Sequence, residues 1–186
     1  MRMPKITIRP AEEKDILAIL ALYCQLDQAL VDLQPEFFCA APREDAFVRQ
    51  AVQANDADYL LAEADGAVVG FALVNYAGWT PEFSCVLPHR YACLADLVVD
   101  AENRGQGVGS TLLGAAKRWA RDRRLEYLEL NVLAQNVPAI ALYESHDFVE
   151  ATGLCGVCCN NDDCQPTVGV DACIDPRADA SIRPYK

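Results

Sequence analysis

The chain switches repeatedly between two hydrophobic periods. Ile6-Thr-Ile-Arg9 alternates, which predicts a short strand. From residue 11 to about 33, Ile16, Ile19, Leu20, Tyr23, Leu26, Leu30 and Leu33 recur at three- and four-residue spacing, which predicts a helix. Asp27 or Asp32 marks a candidate break within it, and Pro35 ends it, because proline disfavours a helical residue before it. Residues 43–54 read as a second helix with Phe47, Val48 and Ala51 on one face. Phe37 and Phe38, between the two, read as core residues or as the wall of a substrate pocket. Two apolar runs, 58–63 and 67–75, flank Asp65-Gly66, a strong short-range hairpin signal.

Residues 78–89 are irregular, punctuated by Pro81 and Pro88, and 91–99 form the next strand. A glycine-rich turn leads into a helix at 111–124. Leu112, Leu113, Ala116, Trp119 and Ala120 make its apolar face; Lys117, Arg118, Arg121, Arg123 and Arg124 lie on or near the polar side. Residues 125–132 alternate as a fifth strand. Asn136 suits an N-cap, Pro138 suits a first turn, and a helix follows from 139 to about 145. Beyond Phe148 the pattern weakens. Residues 153–159 and 167–174 read as two last strands joined by a turn at 160–163, with a tail from 176. Strands interleaved with helices, with no repeat and no linker, predict a single α/β domain over 1–186.

Composition narrows the class. The chain has 186 residues, 52% of them hydrophobic, enough for a sizeable core. No apolar run reads as long enough to span a bilayer, and the amino end shows no signal-peptide pattern, so the expectation is a soluble cytoplasmic protein without a membrane partner. A formal net charge of −11 argues against nucleic acid, which needs a basic footprint, and suits a cationic substrate. Cys24, Cys39, Cys85 and Cys93 sit among apolar neighbours and read as small buried hydrophobes. Cys155, Cys158, Cys159, Cys164 and Cys173 crowd the carboxyl end. C-x-x-C spacing admits metal or redox chemistry, but the second pair of a zinc ribbon is lacking, and structural thiols are the reading adopted; no metal site is assigned.

The chemistry centres on Asp100-Ala-Glu-Asn-Arg104-Gly-Gln-Gly-Val-Gly-Ser110. Gly105, Gly107 and Gly109 let the backbone bend tightly and leave its amides open. Those amides stand at a helix N-terminus, where free N–H groups and the helix dipole favour an anion. A dinucleotide fingerprint fails because Ser110 replaces its third glycine, and a Walker loop fails because Ala115 replaces its lysine.

Arg104-x-x-Gly107-x-Gly109 resembles the acetyl-coenzyme A loop of the GCN5-related N-acetyltransferases. The opening Ile-Arg-Pro-Ala, Val69-Gly-Phe71 and Asn136…Ala139…Leu142-Tyr143…Phe148 follow in that family's order, so the resemblance covers about 5–150. It implies a three-layer fold, a twisted mixed and largely antiparallel sheet flanked by helices, with two strands splayed to admit the pantetheine arm. It implies that backbone groups of Leu97, Val98 and Val99 pair with pantetheine. Arg104, Gly105, Gln106, Gly107, Val108, Gly109 and Ser110 would hold the pyrophosphate, and Asn136 would help fix the cosubstrate.

The resemblance also places Tyr143 as general acid for the leaving thiolate. Many members carry a glutamate base where this chain has Ala95, so Asp96 is left to deprotonate the amine, directly or through water. His89 and Glu82 are reserves, and a reaction without a dedicated base stays open. Where the family has Gly-Phe after the tyrosine helix, Asp147-Phe148 stands here. The activity implied is direct transfer of acetyl from acetyl-coenzyme A to a small-molecule or peptide amine. The alternative is a non-catalytic acyl-coenzyme A-binding domain with a thiol- or metal-bearing end. Homodimers are common in the family; no residue here demonstrates one.

Overall fold

Asp65 and Gly66 carry φ values of 50° and 81°, the doubly left-handed turn whose twist matches two antiparallel strands. A computed structural model of the chain describes residues 5–78 and 88–150, and the backbone of Trp79 and of Cys155–Cys158. The turn joins β2 (Ala57–Ala64) to β3 (Ala67–Trp79). Around this hairpin the strands β1 (Thr7–Pro10), β4 (His89–Val99), β5 (Tyr127–Leu130), β6 (Val149–Glu150) and β7 (Cys155–Cys158) assemble in the order β1-β2-β3-β4-β5-β7-β6. Every pairing is antiparallel except β4 with β5. The expected mixed, largely antiparallel sheet is present.

Both faces of the sheet are covered, so Tyr59, Leu60, Leu61 and Ala62 are all buried rather than alternately exposed. One face packs on α1 (Ile16–Leu33) and α2 (Asp45–Val52) through Ile19, Tyr23, Val48, Tyr59, Leu61, Phe71 and Val98. The other packs on α3 (Val108–Asp122) and α4 (Val137–Glu144) through Leu60, Ala62, Leu94, Leu112, Leu113, Trp119 and Tyr143. The apolar face expected of α3 is the one buried.

Several expectations change. α1 runs unbroken past Asp27 and Asp32, because their carboxylates accept from Arg43 and Gln28 and do not unwind the helix. Together with the 3-10 turn before it, the helical stretch from Glu13 to Leu33 is, by length and composition, apolar enough to cross a membrane, which corrects the reading of no such run. Here its inner stripe, Ile16, Ile19, Leu22 and Tyr23, is buried in the fold, as core helices require. β3 and β4 extend through Trp79 and from His89, into the segment read as irregular. Phe37 is 70% exposed and lines no core. Cys24 and Cys39 are exposed rather than buried; Cys93 is half-buried. Cys85, Cys159, Cys164, Cys173 and the strand expected at 167–174 lie outside the described residues.

Between Leu73 and Val74 of β3 the register of β4 jumps from Asp96 to Leu94. Ala95 is therefore an extra residue, a β-bulge. Side chains alternate along a strand, so the bulge puts Cys93 and Asp96 on the same face, toward α1.

Candidate active site

β4 loses a partner halfway along. It pairs with β5 only at residues 92–94 against 128–130, yet continues to Val99. The two parallel strands part after Leu94, and among the described residues no other strand takes the free edge. The Asp100 amide donates to the Val69 carbonyl on β3 at 2.9 Å. The Val98 carbonyl also faces β3, 2.7 Å from where a Cβ on Gly70 would stand. Backbone direction alternates along an antiparallel pair, so Asp96 and Val98 point their amides and carbonyls at β3. Leu97 and Val99 point theirs into the gap.

The gap runs straight into the glycine loop. Asp100 caps a short turn, accepting from the Glu102 amide at 3.3 Å and the Asn103 side chain at 2.8 Å. Gln25 on α1 pins that turn: it donates to Asp100 at 2.8 Å and accepts from the Ala101 amide at 2.9 Å. These bonds hold the Asp100 carboxyl below its usual range, with the Gln25 bond the largest cause. Arg104 donates through Nε to the Val99 carbonyl at 3.1 Å. Gly105 and Gly107 have φ of 72° and 80°, and nothing lies within 4 Å of where their Cβ atoms would be. Glycine is needed there for backbone conformation, and the missing side chains leave open space over the amides. Gly107 is the N-cap of α3, and buried Val108 anchors its first turn. The residues present fit an anion carried on an extended arm.

α4 closes the other side. The Asn136 side chain accepts from the Ala139 amide at 3.3 Å, as an N-cap, with Pro138 in the first turn. A Cβ on Gly109 would meet Leu142 at 3.1 Å and Val99 at 3.8 Å. The start of α3, the end of β4 and the middle of α4 thus converge at Gly109. Tyr143, next to Leu142, is buried with its ring 5.8 Å from Phe148. The helix ends in a Schellman motif: the Phe148 amide reaches the Tyr143 carbonyl and the Asp147 amide the Glu144 carbonyl, each at 3.1 Å. Asp147 takes the left-handed position, φ 63°.

On the sheet face toward α1, Asp96 accepts from the Tyr23 hydroxyl at 2.7 Å, and that hydroxyl lies 3.0 Å from the Tyr59 hydroxyl. The Arg43 guanidinium covers the Tyr23 ring at 4.0 Å and makes two bonds, 3.2 and 2.7 Å, to Asp27. Burial pushes the Asp96 carboxyl up; Tyr23 and Arg43 pull it back, and Asp27 adds to the rise. On the same face, Cys93 pairs across to Glu129. Burial, with Glu129 and Asp96 nearby, pushes the Cys93 thiol up to about 11. Burial also raises the Glu129 carboxyl, against a hydrogen bond from Tyr91, whose ring stacks on Tyr127 at 4.8 Å.

The sequence profile of the Acetyltransferase (GNAT) family matches residues 26–148. The chain belongs to this family. It is an acyltransferase of the GNAT type. YhfO, an uncharacterized N-acetyltransferase of Bacillus subtilis (strain 168), is 31% identical over 158 residues, 83% of this chain and 97% of that protein. Streptothricin acetyltransferase of Streptomyces lavendulae is 32% identical over 99 residues, 52% of this chain and 48% of that one. A variant of the BH1408 protein from Bacillus halodurans has the same fold, with a TM-score of 0.74 at 22% identity over 78% of this chain and 94% of its own. So does an aminoglycoside N-acetyltransferase in complex with CoA, with a TM-score of 0.61 at 20% identity over 80% and 91% of the two chains.

Of the residues expected to act, the structure brings Val99 and Gly109 together with Leu142 of α4, and Leu97 and Arg104 to Ser110 adjoin them in sequence; Asn136 caps α4 and Tyr143 is buried against Phe148. Val98 stands between the two gap-facing residues with its carbonyl turned to β3. Asp96 sits on the face toward α1. His89 is at the far end of β4, about 23 Å along the strand from Asp96 at 3.3 Å per residue, where it contacts Glu126 at 2.5 Å. Glu82 lies outside the described residues. Tyr23, Arg43, Tyr59 and Gln25 were missed. The one available signal was Tyr23 itself, a hydroxyl-bearing residue inside an otherwise aliphatic helix stripe.

Proposed function

We propose that this acyltransferase moves the acetyl group of acetyl-coenzyme A to a primary amine on a small cationic molecule, directly, with both substrates bound. The observation that carries the donor half is the free edge of β4, which runs into the glycine loop with left-handed Gly105 and Gly107. The gap-facing backbone of Leu97 and Val99 would pair with the pantetheine arm. The amides from Gly105 to Ser110 would hold the pyrophosphate at the start of α3, with Arg104 beside them. The thioester supplies the activated acetyl group.

Asp96 would take one proton from the acceptor's ammonium, freeing the nitrogen lone pair for attack. Its burial raises its proton affinity toward the range a general base needs, while Tyr23 and Arg43 favour its charged form. As the nitrogen–carbon bond forms and the carbon–sulfur bond breaks, Tyr143 would give its proton to the departing sulfur, and the second proton shed by the nitrogen would return through water to the Tyr143 oxygen. The acceptor reading rests on charge: Asp27 lies near Asp96, and Asp96 and Glu129 both lie near Cys93, in a chain of net charge −11. The relatives named for streptothricin and aminoglycoside acceptors support a small molecule over a peptide.

The test is release of coenzyme A thiol from acetyl-coenzyme A with streptothricin, kanamycin, spermidine and a lysine peptide, for wild type and Tyr143→Phe. Turnover with at least one small amine is expected, with kcat about 10- to 100-fold lower in the mutant. Turnover on the peptide alone would reverse the acceptor reading, and an unchanged mutant would remove Tyr143 from the mechanism.

A further inference from the structure

The Asp96 carboxylate does not stand alone, and what supports it comes from distant parts of the chain. Tyr23 is fully buried on α1 and Tyr59 is 1% exposed on β2. A buried phenol must place its hydroxyl on a partner. Tyr23 has two, the Tyr59 hydroxyl at 3.0 Å and Asp96 Oδ2 at 2.7 Å. An ionised carboxylate only accepts, so the Tyr23 proton lies toward Asp96. The Tyr23 oxygen is then free to accept, and Tyr59 donates to it. The chain Tyr59→Tyr23→Asp96 is polarised in one direction for as long as Asp96 is charged, and each bond strengthens the next. Its last bond has the short length of an O–H donor on a carboxylate.

We propose that Tyr23 is a positioning residue for acetyl transfer: its hydroxyl fixes Asp96 Oδ2 and so leaves Oδ1 to receive the proton of the acceptor amine. The proposal rests on the reading of Asp96 as proton acceptor given above. Three features make it more than packing. The bulge at Ala95 is what brings Asp96 onto the face that carries Tyr59 and Tyr23. The Arg43 guanidinium stands over the Tyr23 ring, 4.0 Å from its centroid, held there by Asp27, while Phe71 of the sheet packs on the same ring at 4.8 Å. Furthermore, Asp96 is the one carboxylate on β4, and it is the one given a dedicated donor.

The groups that set the charge of Asp96 come from every neighbouring element. α1 presents Tyr23 and Asp27, the segment before α2 presents Arg43, and β2 presents Tyr59. Cys93 lies on the same strand, with Glu129 beyond it on β5. Removing the Tyr23 hydroxyl deletes the one direct donor among the described residues and leaves burial and Asp27 opposed by Arg43.

Tyr23→Phe keeps the ring, its stacking and its volume. Carbon-13 NMR of aspartate-labelled protein, with the Asp96 resonance assigned from Asp96→Asn, should show the Asp96 pKa rising by roughly one unit in Tyr23→Phe. With the best acceptor of the panel above, the acidic limb of kcat/KM should move up by the same amount. kcat at neutral pH should fall about 10-fold, with KM for acetyl-coenzyme A within twofold. Tyr59→Phe, which removes the second donor in the chain, should give a smaller shift in the same direction and guards against a folding defect in the first variant. An unmoved Asp96 resonance and acidic limb in Tyr23→Phe overturn the proposal. If Asp96→Asn itself turns over at the wild-type rate, the proton acceptor lies elsewhere and the underlying reading falls too; if only Tyr23→Phe is silent, the Tyr23 role alone falls.

Discussion

Residues 97–110 and the Asp96 network serve the two halves of the proposed reaction by different means. The first is one continuous stretch and works through backbone. Leu97 and Val99 expose peptide groups, Gly105 and Gly107 adopt left-handed φ, and α3 starts immediately after. The second is assembled from Tyr23, Asp27, Arg43, Tyr59 and Asp96, on three elements and the segment before α2, and works through side chains. A backbone site constrains conformation, and only a few residue types satisfy it. A side-chain site constrains relative position, and any surface that brings the right groups together will do. The donor half is therefore tied to local sequence, and the acceptor half to tertiary packing.

The sharpest way to break the comparison is at Gly107. A valine there must hold φ near 80°, where a β-branched residue is a conformational outlier. Its Cβ has open space, so the core has no reason to fail; the loop does. Gly107→Val should weaken coenzyme A binding by at least about 100-fold in calorimetry, or about 2.7 kcal/mol, with an unchanged circular dichroism spectrum. Retained affinity would refute the assignment of this loop to the donor, and with it the idea that the donor half is a backbone device.

The same contrast explains what could be read without a structure. The hairpin, the glycine loop, the apolar face of α3 and the Asn136 cap were legible, since each is a local rule about turn chemistry, φ or helical period. The parting of β4 and β5 entered only through family resemblance, because strand length and partner length are set by separate stretches of chain. The Ala95 bulge was not legible. A strand read by simple alternation would put Asp96 on the face opposite Cys93, and one extra residue reverses that. Tyr23 was read as a core residue, which it is; its hydroxyl gains meaning only when Asp96, 73 residues away, is placed against it. The surface exposure of Cys24 and Cys39 was likewise invisible, because apolar neighbours in sequence are not neighbours in space.

A network that holds a carboxylate away from water for reactivity should cost stability, and the glycine loop should not. Burial raises the native pKa of Asp96 above its ordinary 3.8. A group shifted upward contributes stability below its unfolded pKa and loses it as pH rises through the native value. Asp96→Asn, which can still accept from Tyr23 and carries no charge, should therefore raise Tm by a few degrees at pH 7. The gain should shrink on acidification and vanish below about pH 3.8, where the native aspartate is itself protonated. Thermal melts of the two proteins across this range check it. A gain that is independent of pH would mean that the stabilisation comes from packing, and that Asp96 is not an electrostatically costly site.

The smallest effect is expected at Asp147, which belongs to neither half but ends the helix that carries Tyr143. Asp147 occupies the left-handed position of the Schellman motif, φ 63°, where glycine is unstrained and aspartate is tolerated. Its ion pair with Lys117, at 3.8 Å with the Asp147 side chain 91% exposed, offsets little of that strain. Asp147→Gly should stabilise the fold by about 0.5–1 kcal/mol in urea unfolding, reduced by glycine's larger unfolded-state entropy. Because Phe148 and the Tyr143 carbonyl are held by backbone bonds that glycine preserves, kcat and coenzyme A affinity should stay within twofold. If kcat shifts while coenzyme A affinity does not, the end of α4 sets where the Tyr143 hydroxyl points, and the general-acid position is tuned from outside both halves of the site.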